Sequence, residues 1–341
     1  MESLKFSFQT AKSYCKKLIE NKLPVLLIGS PGIGKSTLFR EIAEELNFDF
    51  FPLHLVYTDF VDIKGLPLKT GEKSAEFIPI GIMEKLYNAE KPILILLDDL
   101  IQAANAIQSL AMPLILDRQI NGKKISENVY FAAASNKPSH FAGGSAILEP
   151  VKSRFFGIVE LIPNITETIN FFIEKEFDSR LIAFLQYNPQ YITEFEPSKE
   201  LKPSNNNRVH EFFDKQIKLF NDEQMLDIIT LACEGEKFAL EFSAFRQRLE
   251  KLPVLSEILE NGNTNFDIDI IYFICISLIK KIKEDNKDLI LNWILNLNPE
   301  FQAFFFSAII EKYEKDNSNI NVKNTKQYSS FIVKNQEFEK F

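Results

Sequence analysis

The sequence predicts an α/β protein with a mainly parallel sheet in a three-layer αβα core, followed by a region made only of helices. Short apolar runs alternate with helical patterns in the first half of the chain, as in strand–helix–strand units. These runs are 24–28, 50–56, 92–97, 129–134 and 155–161. From Thr166 onward the pattern is helical with polar breaks. We therefore expect three domains, over 1–165, 166–260 and 261–341, the last being a helical extension with a loose tail.

Local patterns predict the remaining elements in chain order. Apolar residues at helical spacing predict an amphipathic helix over 6–21, ahead of the first strand. A polar stretch with Gly65 and Pro67 predicts a loop over 57–67. Asn121-Gly122, between short flanking runs, predicts a tight hairpin. The other predicted helices are 38–45, 82–89, 101–116, 166–177, 179–187, 209–220, 222–235, 237–249, 268–282, 289–295 and 300–315.

The composition limits the kind of protein this chain can be. Lys and Arg number 39 against 47 Asp and Glu, and the resulting net charge of −8 argues against a nucleic-acid binder held by bulk charge. The three cysteines lie far apart without metal-ligand spacing, which suits a reducing compartment. No signal-peptide pattern and no apolar run long enough to span a bilayer is visible. We expect a soluble cytoplasmic protein and disfavour nucleic acid as a partner.

The stretch 29–37 reads Gly-Ser-Pro-Gly-Ile-Gly-Lys-Ser-Thr and lies between an apolar strand and a helix. It predicts a phosphate-binding P-loop, because glycines let backbone N–H groups turn toward an anion and the helix adds its positive N-terminal end. Lys35 would reach the β- and γ-phosphates and the Ser36 hydroxyl would bind Mg²⁺. A chance glycine-rich turn is the alternative, which the complete motif disfavours. The expected cofactor-binding residues here are Gly29, Ser30, Pro31, Gly32, Ile33, Gly34, Lys35, Ser36 and Thr37.

Polar residues follow two other predicted strands. Asp98 and Asp99 come directly after the run 92–97. Because ligands bind at the carboxyl edge of a parallel sheet, both acids would lie beside the P-loop. Asp98 would hold Mg²⁺ through water and Asp99 would polarise the attacking water, although an acid that only caps the next helix is the alternative. Asn136, after the run 129–134, would orient water against the γ-phosphate, unless it is only a turn residue.

This series of motifs resembles the AAA+ ATPases and, within them, the MoxR-type branch found in bacteria and their phages. The resemblance covers most of 7–260 and is specific as a set rather than piece by piece. In chain order, its pieces are the P-loop, the loop with Asp59, Asp62, Gly65 and Pro67, the pair Asp98-Asp99, the hairpin at Asn121-Gly122, Ala134-Ser135-Asn136, Ser153-Arg154-Phe155, Asn207-Arg208 and the stretch 234–255.

The resemblance implies roles for further residues. Asn136 would be the first sensor, and Arg154 would be a finger that reaches the γ-phosphate of a neighbouring subunit. Arg208 would be the second sensor, which couples a helical lid over 166–260 to the nucleotide. The alternatives are a surface or ion-paired arginine for Arg154 and a helix-start arginine without a ligand for Arg208. Since a finger acting in trans needs an interface, the resemblance also implies a homo-oligomeric ring, commonly of six subunits.

The implied activity is hydrolysis of ATP to ADP and phosphate with Mg²⁺. The sequence 136–139 begins like a guanine-reading Asn-Lys-x-Asp motif but lacks its Asp, which favours ATP over GTP. One position departs from the pattern, because the superfamily usually has Glu where Asp99 stands. The shorter side chain favours slow hydrolysis or a differently held water. Activity is still expected, because the acid is kept.

The implied function is that of a chaperone-like machine that remodels a protein partner, which the resemblance suggests to be a protein with a von Willebrand factor A domain. Two alternatives stay open. A DNA-directed motor or loader would use the same core, but the acidic balance and the lack of a basic, aromatic-interleaved stretch count against it. A nucleotide-switched scaffold with little hydrolysis has only Asp99 in its support.

Overall fold

The chain folds into two compact units, which comprise residues 1–163 and residues 164–341. The computed structural model describes residues 4–137, 147–195, 202–220, 222–315 and 320–335. The sequence also predicts a loop of small residues over 141–146, and this stretch and the isolated His140 lie outside the described residues. The further division of the second unit at 260/261 stays a prediction.

The first unit is built on a sheet of six parallel strands. The described strands of the first unit, six in this sheet and four in two small hairpins, are β1 (Leu4–Phe6), β2 (Val25–Gly29), β3 (Asp49–His54), β4 (Leu66–Lys69), β5 (Ala75–Ile78), β6 (Ile93–Asp98), β7 (Gln119–Ile120), β8 (Lys123–Lys124), β9 (Val129–Asn136) and β10 (Gly157–Leu161). The order across the large sheet is β1–β10–β2–β9–β6–β3. Neighbouring strands such as β2 and β9 are far apart in the chain, so crossovers pass over the faces of the sheet.

Helices cover both faces of this sheet. They are α1 (Phe8–Glu20), α2 (Lys35–Glu45), α3 (Phe60–Lys64), α4 (Ile82–Tyr87), α5 (Asn105–Met112) and α6 (Glu149–Lys152). Alternate strand residues enter two separate cores: Leu27 and Leu96 pack with α1 and α2, whereas Leu26 and Ile95 pack with α4 and α5. Strands buried on both faces explain the continuous apolar runs of the sequence. The predicted αβα fold with its parallel sheet is confirmed.

Residues 57–78 differ from the sequence prediction. The expected loop contains α3, and β4 then pairs antiparallel with β5, Leu66 facing Ile78. Every residue of both strands is exposed, so no inside–outside alternation marks them in the sequence. Gly65, at φ +89°, precedes the hairpin, and a Cβ there would lie 2.2 Å from the carbonyl oxygen of Ile78. The close approach of the two strands therefore requires glycine at this position.

Three other local predictions can be compared with the structure. The N-terminal helix begins at Phe8, because residues 4–6 instead pair with β10 as β1. The helix expected over 101–116 is broken into a 3₁₀ turn (Leu100–Gln102), α5 and a π turn (Pro113–Asp117), and Pro113 opens the last of these. The hairpin at Asn121-Gly122 is confirmed, with φ of +51° and +76° joining β7 to β8.

The second unit is helical throughout its described residues. Its helices are α7 (Ile165–Glu174), α8 (Ser179–Tyr187), α9 (Gln190–Thr193), α10 (Asn207–Leu219), α11 (Glu223–Glu234), α12 (Glu236–Leu249), α13 (Leu255–Asn261), α14 (Ile268–Lys281), α15 (Lys287–Ile294), α16 (Pro299–Lys315) and α17 (Lys326–Lys334). One core cluster runs from Ile169 to Phe331. The run Phe304-Phe305-Phe306 predicts core rather than a ligand site, and Phe305 and Phe306 are buried members of this cluster. Of the tail expected to be loose, 316–319 lie outside the described residues, whereas α17 already begins at Lys326.

None of the helices in the described ranges combines the length and the apolar character that crossing a membrane requires.

Candidate nucleotide-binding site

The glycine-rich loop joins the end of β2 to the start of α2 at the carboxyl edge of the sheet. Gly32 and Gly34 adopt φ of +73° and +104°, which residues with a side chain rarely reach. Gly34 is the residue before α2, so the loop leads directly into the positive end of an 11-residue helix. Backbone N–H groups in this arrangement can surround an anion.

Lys35 is held beneath this loop with 8% of its surface exposed. Its Nζ donates to the carbonyl oxygens of Gly29 at 3.2 Å and Ser30 at 2.9 Å, and to Oδ1 of Asn136 at 2.7 Å. All three of these acceptors are uncharged. A phosphate oxygen would offer the ammonium group a charged acceptor, so the site can exchange a neutral partner for an anion.

Ser36 and Asp98 meet at the same edge. The Ser36 hydroxyl donates to Oδ2 of Asp98 at 2.8 Å, and Asp98 is 6% exposed. A hydroxyl and a carboxylate are oxygen ligands of the kind that Mg²⁺ accepts, with waters and phosphate oxygens completing its octahedron. In the described ranges no group of three His, Cys, Asp or Glu side chains could hold a metal by itself. The pair therefore fits a metal ion that arrives with a nucleotide.

His54 is a neighbour of this pair that the sequence did not point to. The register of β3 with β6 sets His54 opposite Asp98, and its Nδ1 lies 3.8 Å from Oδ2 of Asp98. Its side chain is half exposed. The signal was its place near the end of the predicted strand 50–56, but an isolated histidine carries little information.

Asp99 begins the turn that leaves the sheet. It adopts the left-handed conformation, with φ +56° and ψ +34°, which Asp tolerates better than most residues. Its backbone N–H donates to Oδ1 of Asp98 at 3.1 Å. The two acids are therefore fixed relative to each other by the backbone, and the side chain of Asp99 is half-buried at the edge that carries the P-loop.

Asn136 ends β9, and the register sets it directly opposite Gly29. Its hydrogen-bond partner Gln102 was not predicted from the sequence. With the Gln102 amide in the orientation that satisfies both of its ends, Oε1 accepts from Nδ2 of Asn136 at 2.8 Å. The neighbouring Ser135 is fully buried and its Oγ accepts from the backbone N–H of Ile101 at 2.9 Å. The signal for Gln102 was one polar side chain in the apolar run 100–104.

The two arginines that the resemblance assigns to the site, Arg154 and Arg208, follow the P-loop, the acid pair and Asn136 in the sequence. Arg154 follows α6; its Nη1 donates to the carbonyl oxygen of Pro150 at 2.5 Å, and its Nε is buried with no hydrogen-bond partner in the part of the chain that the structure describes. Arg208 belongs to the second unit, exposed in the first turn of α10, where Asn206 caps the helix. The roles of both arginines stay predictions.

The fold and the edge of the sheet define the class of P-loop nucleotide-binding proteins. Residues 25–155 match the sequence model of the family described as ATPase family associated with various cellular activities (AAA). The matched stretch of the first unit is therefore similar to an AAA-family ATPase domain. The match is to the family as a whole, so the MoxR-type branch stays a prediction. No protein of curated function matches the chain.

Solved structures give a weaker likeness. The chain is similar to the RuvB Holliday junction branch migration motor of Thermotoga maritima, with 15% identity and a TM-score of 0.34 over 96% of this chain and 86% of that one. Two point mutants of that protein match at 16% and 15% identity with TM-scores of 0.34 and 0.36, over 96% of this chain and 84% and 86% of theirs. Likeness at this level does not bear on function.

Proposed function

We propose that the protein is a Mg²⁺-dependent ATPase that hydrolyses ATP at the interfaces of a homo-oligomeric ring and uses the energy to remodel a protein partner. One observation carries the proposal. The carboxyl edge of the parallel sheet brings together Lys35, Ser36, Asp98, Asp99 and Asn136, which the chain separates by up to 101 residues. These are the groups that phosphoryl transfer to water requires: a cation, metal ligands, an acid and a polar amide.

Each group has a distinct part in the proposed reaction. The loop N–H groups and Lys35 bind the phosphates and stabilise the charge that develops on the transferred phosphoryl group. Ser36 and Asp98 would hold Mg²⁺, which neutralises charge on the β- and γ-phosphate oxygens when bound. Asp99 accepts a proton from the attacking water, and the amide of Asn136 orients that water in line with the leaving oxygen.

Arg154 is proposed as the finger that a neighbouring subunit supplies. Among the described residues no carboxylate forms an ion pair with Arg154, whose Nη1 donates to the uncharged carbonyl oxygen of Pro150. This counts against the ion-paired alternative. A cation that reaches the γ-phosphate of the next subunit would make hydrolysis depend on assembly. Arg208 is proposed as the sensor through which the helical region responds to the nucleotide, and six subunits are the proposed ring size.

The exposed hairpin supports a protein partner. Leu66, Leu68, Phe77 and Ile78 have between 39% and 51% of their surface exposed, and Phe60 beside them has 48%. Phe60 and Phe77 meet edge to face with ring centroids 6.4 Å apart. Exposed apolar groups concentrated in one element favour association with protein rather than with a polyanion. A partner with a von Willebrand factor A domain, as the MoxR-type resemblance suggests, is the specific proposal.

Mixing two inactive variants tests the shared site. Asp99→Asn removes the proton acceptor and Arg154→Ala removes the finger, so each variant alone should bind ATP but release little phosphate. In rings formed from an equal mixture, about a quarter of the interfaces would hold both intact groups and activity should return in proportion. Arg40→Ala, an exposed arginine of the same unit, is the control and should keep full activity. A mixture as inactive as its components would contradict a site shared between subunits.

A further inference from the structure

We propose that Gln102 is a positioning residue that locks Asn136 and the backbone of Asp99 into one hydrogen-bonded unit, and that hydrolysis depends on it. This inference rests on the proposed ATPase function. Gln102 is half-buried and ends the 3₁₀ turn that follows Asp99. It belongs to neither the P-loop nor the acid pair, and it would act through Asn136 rather than on the nucleotide.

The donors and acceptors around the Gln102 amide fix its orientation. Its Oε1 faces two donors of Asn136, the side-chain Nδ2 at 2.8 Å and the backbone N–H at 3.2 Å. Its Nε2 faces two acceptors, the backbone carbonyl of Asp99 at 3.2 Å and Oγ of Ser135. Both ends of the amide therefore form hydrogen bonds with these neighbours. In the opposite orientation Nε2 would face the two N–H donors of Asn136, and Oε1 would face the carbonyl oxygen of Asp99.

This orientation determines which atom Asn136 presents to Lys35. The Oδ1 of Asn136 accepts from Nζ of Lys35 at 2.7 Å, while its Nδ2 donates to Gln102. A half-turn of the Asn136 amide would point Nδ2 at the ammonium group and set Oδ1 against the oxygen of Gln102, which would keep only the backbone N–H of Asn136 as a donor. Gln102 therefore selects one of the two amide orientations, and with it the side of Asn136 that faces the phosphate site.

The same amide ties the acid to the sensor. The carbonyl oxygen of Asp99 accepts from the backbone N–H of Gln102 at 3.0 Å as well as from Nε2. Asp99 holds a left-handed conformation that is costly for a residue with a side chain. Contacts to its carbonyl from a neighbour that also holds Asn136 keep the two groups at a fixed separation. A water between them would then meet both in one geometry.

The first test replaces the amide with an apolar chain of similar length. Gln102→Met should lower kcat about 10- to 100-fold, the usual cost of losing a partner that orients an active-site ligand. The ATP dissociation constant should change by less than about two-fold, because the P-loop is untouched. Gln224→Met, at an exposed position of the second unit, is the matched control and should leave kcat unchanged. An unchanged kcat in Gln102→Met would overturn the inference.

A double-mutant cycle separates positioning from general support of the fold. In an Asn136→Ala background, Gln102→Met should cause little further loss of kcat, because the residue it orients is gone. The same loss in both backgrounds would show that Gln102 does not act through Asn136. Should Gln102→Met fold poorly, Gln102→Leu serves instead: it also removes the acceptor for Asn136 together with both donor contacts, and should show the same non-additivity. If the unaltered protein releases no phosphate, the ATPase proposal itself fails; if it does and these variants match it, only the role of Gln102 fails.

Discussion

The glycine that precedes α2 offers a test whose magnitude follows from the structure. Gly34 adopts φ +104°, and a Cβ at this position would meet the ring of Phe8 at 3.4 Å, an ordinary contact distance. The cost of Gly34→Ala therefore comes from the backbone and amounts to about 1–2 kcal/mol for a left-handed residue. If the loop relaxes to a normal φ in the unbound protein and must return to bind phosphate, the dissociation constant for ATP should rise about 5- to 30-fold.

Titration calorimetry with ATP and Mg²⁺ measures this change directly. The matched control is Gly122→Ala, because Gly122 also has a positive φ, +76°, and no atom lies within 4 Å of the place that its Cβ would take. It lies in the β7–β8 hairpin, so it carries a comparable backbone strain without altering the P-loop. If both variants bind ATP as the unaltered protein does, the loop conformation is not what binds the phosphates.

Three further changes test the metal pair and the second unit. Ser36→Ala should raise the Mg²⁺ concentration needed for half-maximal activity while leaving binding of metal-free ATP largely intact; an unchanged Mg²⁺ requirement would contradict its assignment. Burial raises the pKa of Asp178, but the hydrogen bond and charge of Arg180 lower it more, so the pKa lies below the ordinary 3.8. Ionised Asp178 therefore stabilises the fold above pH 3.8, and this stabilisation is lost as the pH falls through the lowered pKa of the folded state. Asp178→Asn should lower the free energy of unfolding in urea by less in acid than at neutral pH. A loss of unfolding free energy that does not change with pH would refute this. Glu234→Ala leaves Nδ1 of buried His210 without its 2.9 Å partner and should lower the free energy of unfolding by about 3 kcal/mol, whereas a loss below about 1 kcal/mol would contradict a buried pair.

The parallel sheet and the P-loop could be predicted because their signals are local. Strands buried on both faces give continuous apolar runs, and the glycine loop needs its residues at fixed spacing. The register then explains why strand-end residues such as Asn136 and Asp98 were correctly placed at one edge, since Asn136 lies opposite Gly29. Adjacent parallel strands with a common direction must end on the same side.

The parts that the sequence did not predict depend on distant contacts or lack a pattern. Gln102 gains its meaning from Ser135 and Asn136, which lie far along the chain, and nothing in its own surroundings distinguishes it from a chance polar residue. The β4–β5 hairpin is exposed on both faces, so it has no alternation to read. Whether Arg154 and Arg208 reach a nucleotide depends on assembly and on the second unit, which local sequence does not encode.

The central claim is that the carboxyl edge of this sheet hydrolyses ATP, and phosphate release measures it most directly. The purified protein should release phosphate from ATP with Mg²⁺ and stop when the metal is chelated. Lys35→Met keeps the aliphatic stem of a side chain that is 8% exposed but removes the charge, and it should slow release at least about 100-fold. Equal rates for Lys35→Met and the unaltered protein, or no release by either, would contradict the account.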